Sequence, residues 1–247
     1  MGFRRDSSDD LVSNIIKQER SLIVSCEIHD LSRLEWLVKE TCRIKKVGAY
    51  KVGAVLAIRY GLPRVVEAIR KHTKAAIIYD HQKGGTDIPE LGREFLLSVK
   101  DSGIDAPILF PMSGPVSEEA WINAAEELDV SLIIGGEMTH KGYKASEGGY
   151  ISEASIEKMY GIAAKHGIED YVVPGNRPER VAYYRKTISK ELGKEPIFYS
   201  PGFIAQGGSI EKMAEVAGNR WHAIVGRGIY ASENPGKAAE ELANLIP

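Results

Sequence analysis

Two stretches, SPGFIAQGGS at 200–209 and WHAIVGRGIY at 221–230, decide the reading of the fold. In each, a β-branched and aromatic run ends in a glycine-rich turn, and helical periodicity follows at 209–218 and 234–246. Such turns leave backbone N–H groups free to hold a phosphate, and in a (β/α)₈ barrel they follow strands seven and eight. Working back toward the N-terminus, six more apolar runs appear at 21–28 (SLIVSCEI), 47–53 (VGAYKVG), 74–80 (KAAIIYD), 106–111 (APILFP), 131–137 (SLIIGGE) and 170–174 (DYVVP). With runs at 195–200 and 221–227 they make eight strands, and helical patterns lie between them at about 31–46, 62–72, 89–102, 116–129, 152–166 and 177–193. Eight strand–helix units without a linker predict an α/β fold, a single (β/α)₈ TIM barrel domain over 1–247. An open doubly wound sheet is the alternative, but no GxGxxG follows the first strand. Residues 1–20 read as an extension carrying an extra helix over 9–20, capped by Asp6, Ser7, Ser8 or Asp9 and set under the barrel.

With 43% hydrophobic and 27% charged residues in 247, the chain is no disordered or fibrous protein. Lys and Arg number 32 against 34 Asp and Glu, without a basic stripe, so nucleic acid is not an expected partner. The absence of a long apolar run or leader predicts a cytoplasmic protein without membrane contact. Cys26 and Cys42 stand apart from any CxxC or His-rich pattern, which leaves them as reduced thiols and predicts no metal.

In a barrel the chemistry sits at the C-terminal strand ends. Here these present Glu27, Lys51, Asp80 with His81 and Lys83, Met112 with Ser113, Glu137 with Thr139 and His140, Asn176 with Arg177, Ser200 with Gln206, and Arg227. Lys51 lies inside the run GAYKVGA, where an ammonium needs carboxylates around it or must snorkel out between strand and helix. YDHQKGGTDIPE at 79–90 supplies Asp80, Lys83 and Asp87, a cup of alternating charge that could hold a substrate carboxylate in a strong field. The plainer reading is a polar loop in which Asp87 caps the helix opened by Pro89. Arg227 and Gln206, with Gly207 and Gly226 in the two turns, form the expected phosphate-binding group.

From residue 21 to about 245 these segments resemble the orotidine 5′-phosphate decarboxylase family: SLIVSCEI, YKVG, DIPE, EMTHKG, NRPERV, SPGFIAQGG and VGRGIYASENP. The resemblance implies cofactor-independent conversion of orotidine 5′-phosphate to UMP and carbon dioxide in de novo pyrimidine biosynthesis. It implies that Lys51 orders the charge network, Lys83 protonates the ring carbon and Asp80 faces the substrate carboxylate. Asp87 and Ile88 correspond to a pair donated across a homodimer interface. Glu27 falls where an aspartate contacts the ribose, and Thr139 matches a serine that bonds the pyrimidine. Pro201 lies beside the substrate, Gln206 matches a residue bridging base and phosphate, and Gly207, Gly226 and Arg227 match the phosphate anchor.

The chain departs from the family pattern Asp-x-Lys-x-x-Asp by one extra residue on each side of Lys83. In an extended strand the first of these would turn the lysine to the opposite face, unless a bulge at Gly84 and Gly85 absorbs it. Leu91 stands where the family has a threonine. Two rivals follow from these departures: a Mg²⁺-dependent sugar-phosphate aldolase or decarboxylase with the metal among Glu27, Asp80 and Asp87, and a non-catalytic nucleotide-binding paralogue. His140 and His222 carry no role in this reading.

Overall fold

The computed structural model describes residues 15–81, 85, 87–204 and 207–247. Eight parallel strands pair in chain order, β1 (Arg20–Cys26), β2 (Val47–Gly53), β3 (Ala76–Asp80), β4 (Ala106–Leu109), β5 (Ile133–Gly135), β6 (Asp170–Val172), β7 (Ile197–Pro201) and β8 (Trp221–Val225). β8 pairs back onto β1 and closes the barrel. Around it run α1 (Leu31–Thr41), α2 (Ala54–Tyr60), α3 (Leu62–Arg70), α4 (Gly92–Asp101), α5 (Pro115–Leu128), α6 (Glu153–Lys165), α7 (Pro178–Leu192), α8 (Ile210–Val216), α9 (Arg227–Tyr230) and α10 (Pro235–Asn244). Local chemistry starts the helices: Asp30 accepts from the Arg33 N–H at 2.7 Å, Ser152 from that of Ser155 at 3.0 Å, and Pro178 opens α7. Among the described residues no helix is long and apolar enough to cross a membrane.

The two-residue period of the strands sorts side chains into two cores. Leu22, Val24 and Cys26 join Leu34, Leu37 and Val38 in the layer between barrel and helices. Ile23, Ala49, Ile78, Ile108, Val172 and Ile224 pack with one another inside the barrel. Continuing the inner series by one period brings Ser25, Lys51 and Asp80 to the mouth, and a second period on the first strand brings Glu27.

At the floor, Ile15 and Ile16 join the inner cluster, and residues 15–19 are non-helical. The helix expected over 9–20 is therefore absent from its last six positions, 15–20, the last of which already opens β1; the remainder lies outside the described residues. A Cβ at Gly48 would lie 2.7 Å from an Ile16 methyl carbon, so the glycine makes room for this plug. Three further differences are local. The first helix stops at Thr41, whose hydroxyl donates to Leu37 O at 2.8 Å, instead of running to 46. Ala54–Tyr60 and Arg227–Tyr230 are helices that the strand and loop reading passed over.

Above the floor plug, His222 is fully buried, with Nδ1 2.8 Å from Ser21 Oγ and its ring 4.9 Å from that of Tyr199. Burial, aided by Arg220, pushes its pKa down to about 3, so the folded protein holds it neutral. The unfolded chain binds that proton near pH 6.5, so this contribution is complete above 6.5 and is lost as pH falls toward 3, at up to ~1.4 kcal/mol per unit. Urea unfolding at pH 7 and pH 4.5 is expected to show a smaller loss of stability for His222→Phe than for the wild type. An equal loss in both proteins would remove His222 from the account.

Candidate active site

A cavity of about 240 Å³ opens at the C-terminal ends of the strands. On one wall, Lys51 donates from Nζ to Glu27 Oε1 at 2.8 Å and to Asp80 Oδ2. Lys51 is only 6% exposed, inside the barrel mouth, and does not snorkel outward. Burial works against its ammonium, but the carboxylates of Asp80 and Glu27 outweigh this and hold its pKa above the ordinary lysine value. Asp80 Oδ1 is buried and has no hydrogen-bond partner among the described residues, so one oxygen of this carboxylate is held by the lysine and the other is left for a ligand. Ser25, 3.4 Å from Glu27 Oε1, continues this wall.

Thr139 forms another edge, and its carbonyl accepts from the Asn176 amide at 3.3 Å. Ile108, Val172 and Ile224 line the same cavity from within the barrel, and Pro201, Gly202 and Phe203 from the end of β7. The far end is formed by Gly226, Arg227 and Tyr230. A Cβ at Gly226 would lie 3.3 Å from the Tyr230 ring and 3.4 Å from Ser25 Cβ, so glycine keeps this corner open. The Arg227 guanidinium has no ion-pair partner among the described residues and is free for an anion. In the preceding turn Gly208 donates to Gly202 O at 3.1 Å, and a Cβ there would come within 2.7 Å of that oxygen. One cavity thus carries a carboxylate–ammonium network at one end and an unpaired arginine beside glycine turns at the other.

The sequence matches the family described as Orotidine 5'-phosphate decarboxylase / HUMPS over residues 20–242. The chain belongs to this family. It is 34% identical over 200 residues to the orotidine 5'-phosphate decarboxylase of Methanosarcina mazei, covering 81% of this chain and 84% of that one. To its counterpart in Methanosarcina barkeri it is 31% identical over 231 residues, covering 94% and 96%. The crystal structure of orotidine 5'-monophosphate decarboxylase from Methanocaldococcus jannaschii, complexed with the inhibitor BMP, superposes with a TM-score of 0.78 at 26% identity, covering 92% of this chain and 98% of that one.

Of the residues marked in this decarboxylase-family sequence, the cavity gathers Glu27, Lys51, Asp80, Thr139, Pro201, Gly226 and Arg227. Lys83 and Gln206 lie outside the described residues, while Gly207 sits in the β7 turn with φ +80° and off the cavity wall. Asp87 and Ile88 are exposed and face away from it, beside Pro89, Gly114 and Val116. The cup expected from Asp80, Lys83 and Asp87 is therefore corrected for Asp87: within one chain the second carboxylate on Lys51 is Glu27, from β1. Asp87 does not cap the helix turn at Pro89 either; its Oδ1 accepts from the adjoining Ile88 N–H at 2.7 Å.

Glu137, Arg177 and His140 do not reach the cavity: the first two pair with each other at 2.7 Å, and the His140 ring meets that of Tyr143. Ser25, Phe203 and Tyr230 were not singled out from sequence. Strand alternation from Glu27 would have found Ser25, whereas Phe203 and Tyr230 lie on turns that carry no period.

Proposed function

We propose that the protein is a carbon–carbon lyase that converts orotidine 5′-phosphate to UMP and carbon dioxide. The observation that carries this is the buried Lys51 held between Glu27 and Asp80 in the cavity that Arg227 closes at its other end. Membership of the decarboxylase family supports it. The phosphate is taken by Arg227 with Gly226 and Gln206, the pyrimidine by Thr139, and the ribose by Glu27, with Pro201 above the substrate. The substrate carboxylate then lies against Asp80. The C–C bond breaks with its electron pair left on the ring carbon, carbon dioxide departs, and that carbon takes a proton from Lys83. Binding energy from the remote phosphate holds the reacting end in place. Product analysis tests this reading: UMP and carbon dioxide released one to one are the expected result, and substrate left intact would overturn it.

Arg227→Ala is expected to raise KM roughly 10²-fold with kcat nearly unchanged, since a charge-assisted contact of about 3 kcal/mol made equally in ground and transition states is lost. An equal fall in kcat at constant KM would place Arg227 in the chemical step instead.

The active form is a homodimer in the cytoplasm, where the free thiols Cys26 and Cys42 remain reduced. Val55, Ile58, Ile88, Leu91 and Val116 are exposed apolar side chains on the C-terminal side of β2, β3 and β4. A second cavity of about 470 Å³ lies between Gly53, Ala54, Val55 and His81 and backs onto Glu27, Lys51 and Asp80. Asp87 and Ile88 of a second copy fill it, and sedimentation at about twice 27.1 kDa is the expected result. The Mg²⁺-dependent reading is disfavoured by Lys51, whose ammonium stands between Glu27 and Asp80 where the cation would sit.

A further inference from the structure

Glu137 follows β5 and has a fully buried side chain outside the substrate cavity, yet it is charged. Arg177 Nη1 donates to its Oε1 at 2.7 Å, Lys144 Nζ lies 3.2 Å from the same oxygen, and Arg180 Nε donates to Oε2 at 3.0 Å, where the Tyr184 hydroxyl also donates. Burial raises the pKa of Glu137, but the bonds from Tyr184, Arg180 and Lys144 outweigh it and keep the carboxyl below its ordinary range. Glu147 completes the cluster, 2.9 Å from Arg177 and 3.5 Å from Lys144, and accepts from the Gly142 N–H at 3.2 Å.

These contacts join three pieces of chain. Glu137 stands two residues before Thr139, Lys144 and Glu147 belong to the segment between β5 and α6, and Arg177 and Arg180 lie at the start of α7. The Asn176 amide, next to Arg177, closes the circuit on the Thr139 carbonyl at 3.3 Å. A buried ion cluster gives little net stability against an apolar core of the same volume, but it fixes geometry closely. The geometry fixed here is that of the Thr139 edge of the cavity relative to the end of β6.

We infer that Glu137 is a positioning residue for the pyrimidine half of the site: through Arg177 and Arg180 it sets where Thr139 stands, without touching substrate. This rests on the decarboxylase reading above. The test is a double-mutant cycle of Glu137→Gln and Thr139→Ala, read as KM for orotidine 5′-phosphate and as inhibition by inorganic phosphate. Glu137→Gln is expected to raise KM roughly tenfold or more in the wild-type background and to add almost nothing in Thr139→Ala. Phosphate inhibition, which reads the Arg227 end, is expected to stay unchanged. Arg180→Lys keeps the charge but loses the fork, and gives the same pattern should Glu137→Gln fold poorly. An equal rise in both backgrounds, or no rise, overturns the inference. A wild-type protein without turnover would fail the decarboxylase reading instead, and UMP affinity would then replace KM in the same cycle.

Discussion

Lys83→Ala is expected to lower kcat for orotidine 5′-phosphate by roughly 10⁵-fold, combining the loss of a general acid and of charge facing the developing carbanion. Lys51 is held by Glu27 and Asp80, and a lysine whose pKa is raised is a poor proton donor. Arg227, the other cation on the cavity wall, does not give up a proton in a protein. The ring carbon must still receive one, and Lys83 is the lysine that the chain carries just past Asp80. UMP affinity, set mainly at the phosphate end, is expected to stay within a few-fold. Turnover near the wild-type rate would mean that the segment after Asp80 does not deliver this lysine to the ring.

For Asp80→Asn, kcat is expected to fall roughly 10³-fold while KM stays the same or drops. In the proposed reaction the Oδ1 of Asp80, unpartnered among the described residues, meets the substrate carboxylate, and two like charges about 4 Å apart repel by about 4 kcal/mol at an effective dielectric of 20. That repulsion disappears as carbon dioxide leaves, so it lowers the barrier only while the substrate carries its charge. Asparagine keeps the shape and removes the charge, which predicts a slower reaction from a better-bound substrate. A raised KM with unchanged kcat would reduce Asp80 to a binding contact. Steady-state kinetics on both variants separates the two lysine–carboxylate roles.

The barrel was legible because each strand is a short β-branched run and each helix a distinct periodic stretch, with Ser152 and Pro178 marking starts that the structure keeps. Reading failed where punctuation is missing. Ala54–Tyr60 follows β2 directly, and its VLAI continues the apolar run, so nothing in the sequence separates strand from helix. The basic stretch at 42–46 prolongs the pattern of α1 past Thr41 in the same way.

In the site, Lys51 and Asp80 were legible because each strand places them one period beyond a small or apolar inner residue, Ala49 and Ile78. Glu27 was expected at the ribose, and its bond to Lys51 depends on the pairing of β1 with β2, which no local pattern encodes. The Glu137 cluster was hidden for a related reason: a charge beside a turn reads as solvated until the folded chain brings Arg177 and Arg180 to it.

The proposed reaction breaks the carboxyl bond of orotidine 5′-phosphate with a lysine–carboxylate network and no metal. The fall in absorbance as purified protein consumes this substrate, followed with and without EDTA, decides it. Turnover at the same rate in both is expected. No turnover, with UMP still bound, would contradict it and leave a nucleotide-binding paralogue; turnover abolished by EDTA would contradict it in favour of metal-dependent chemistry.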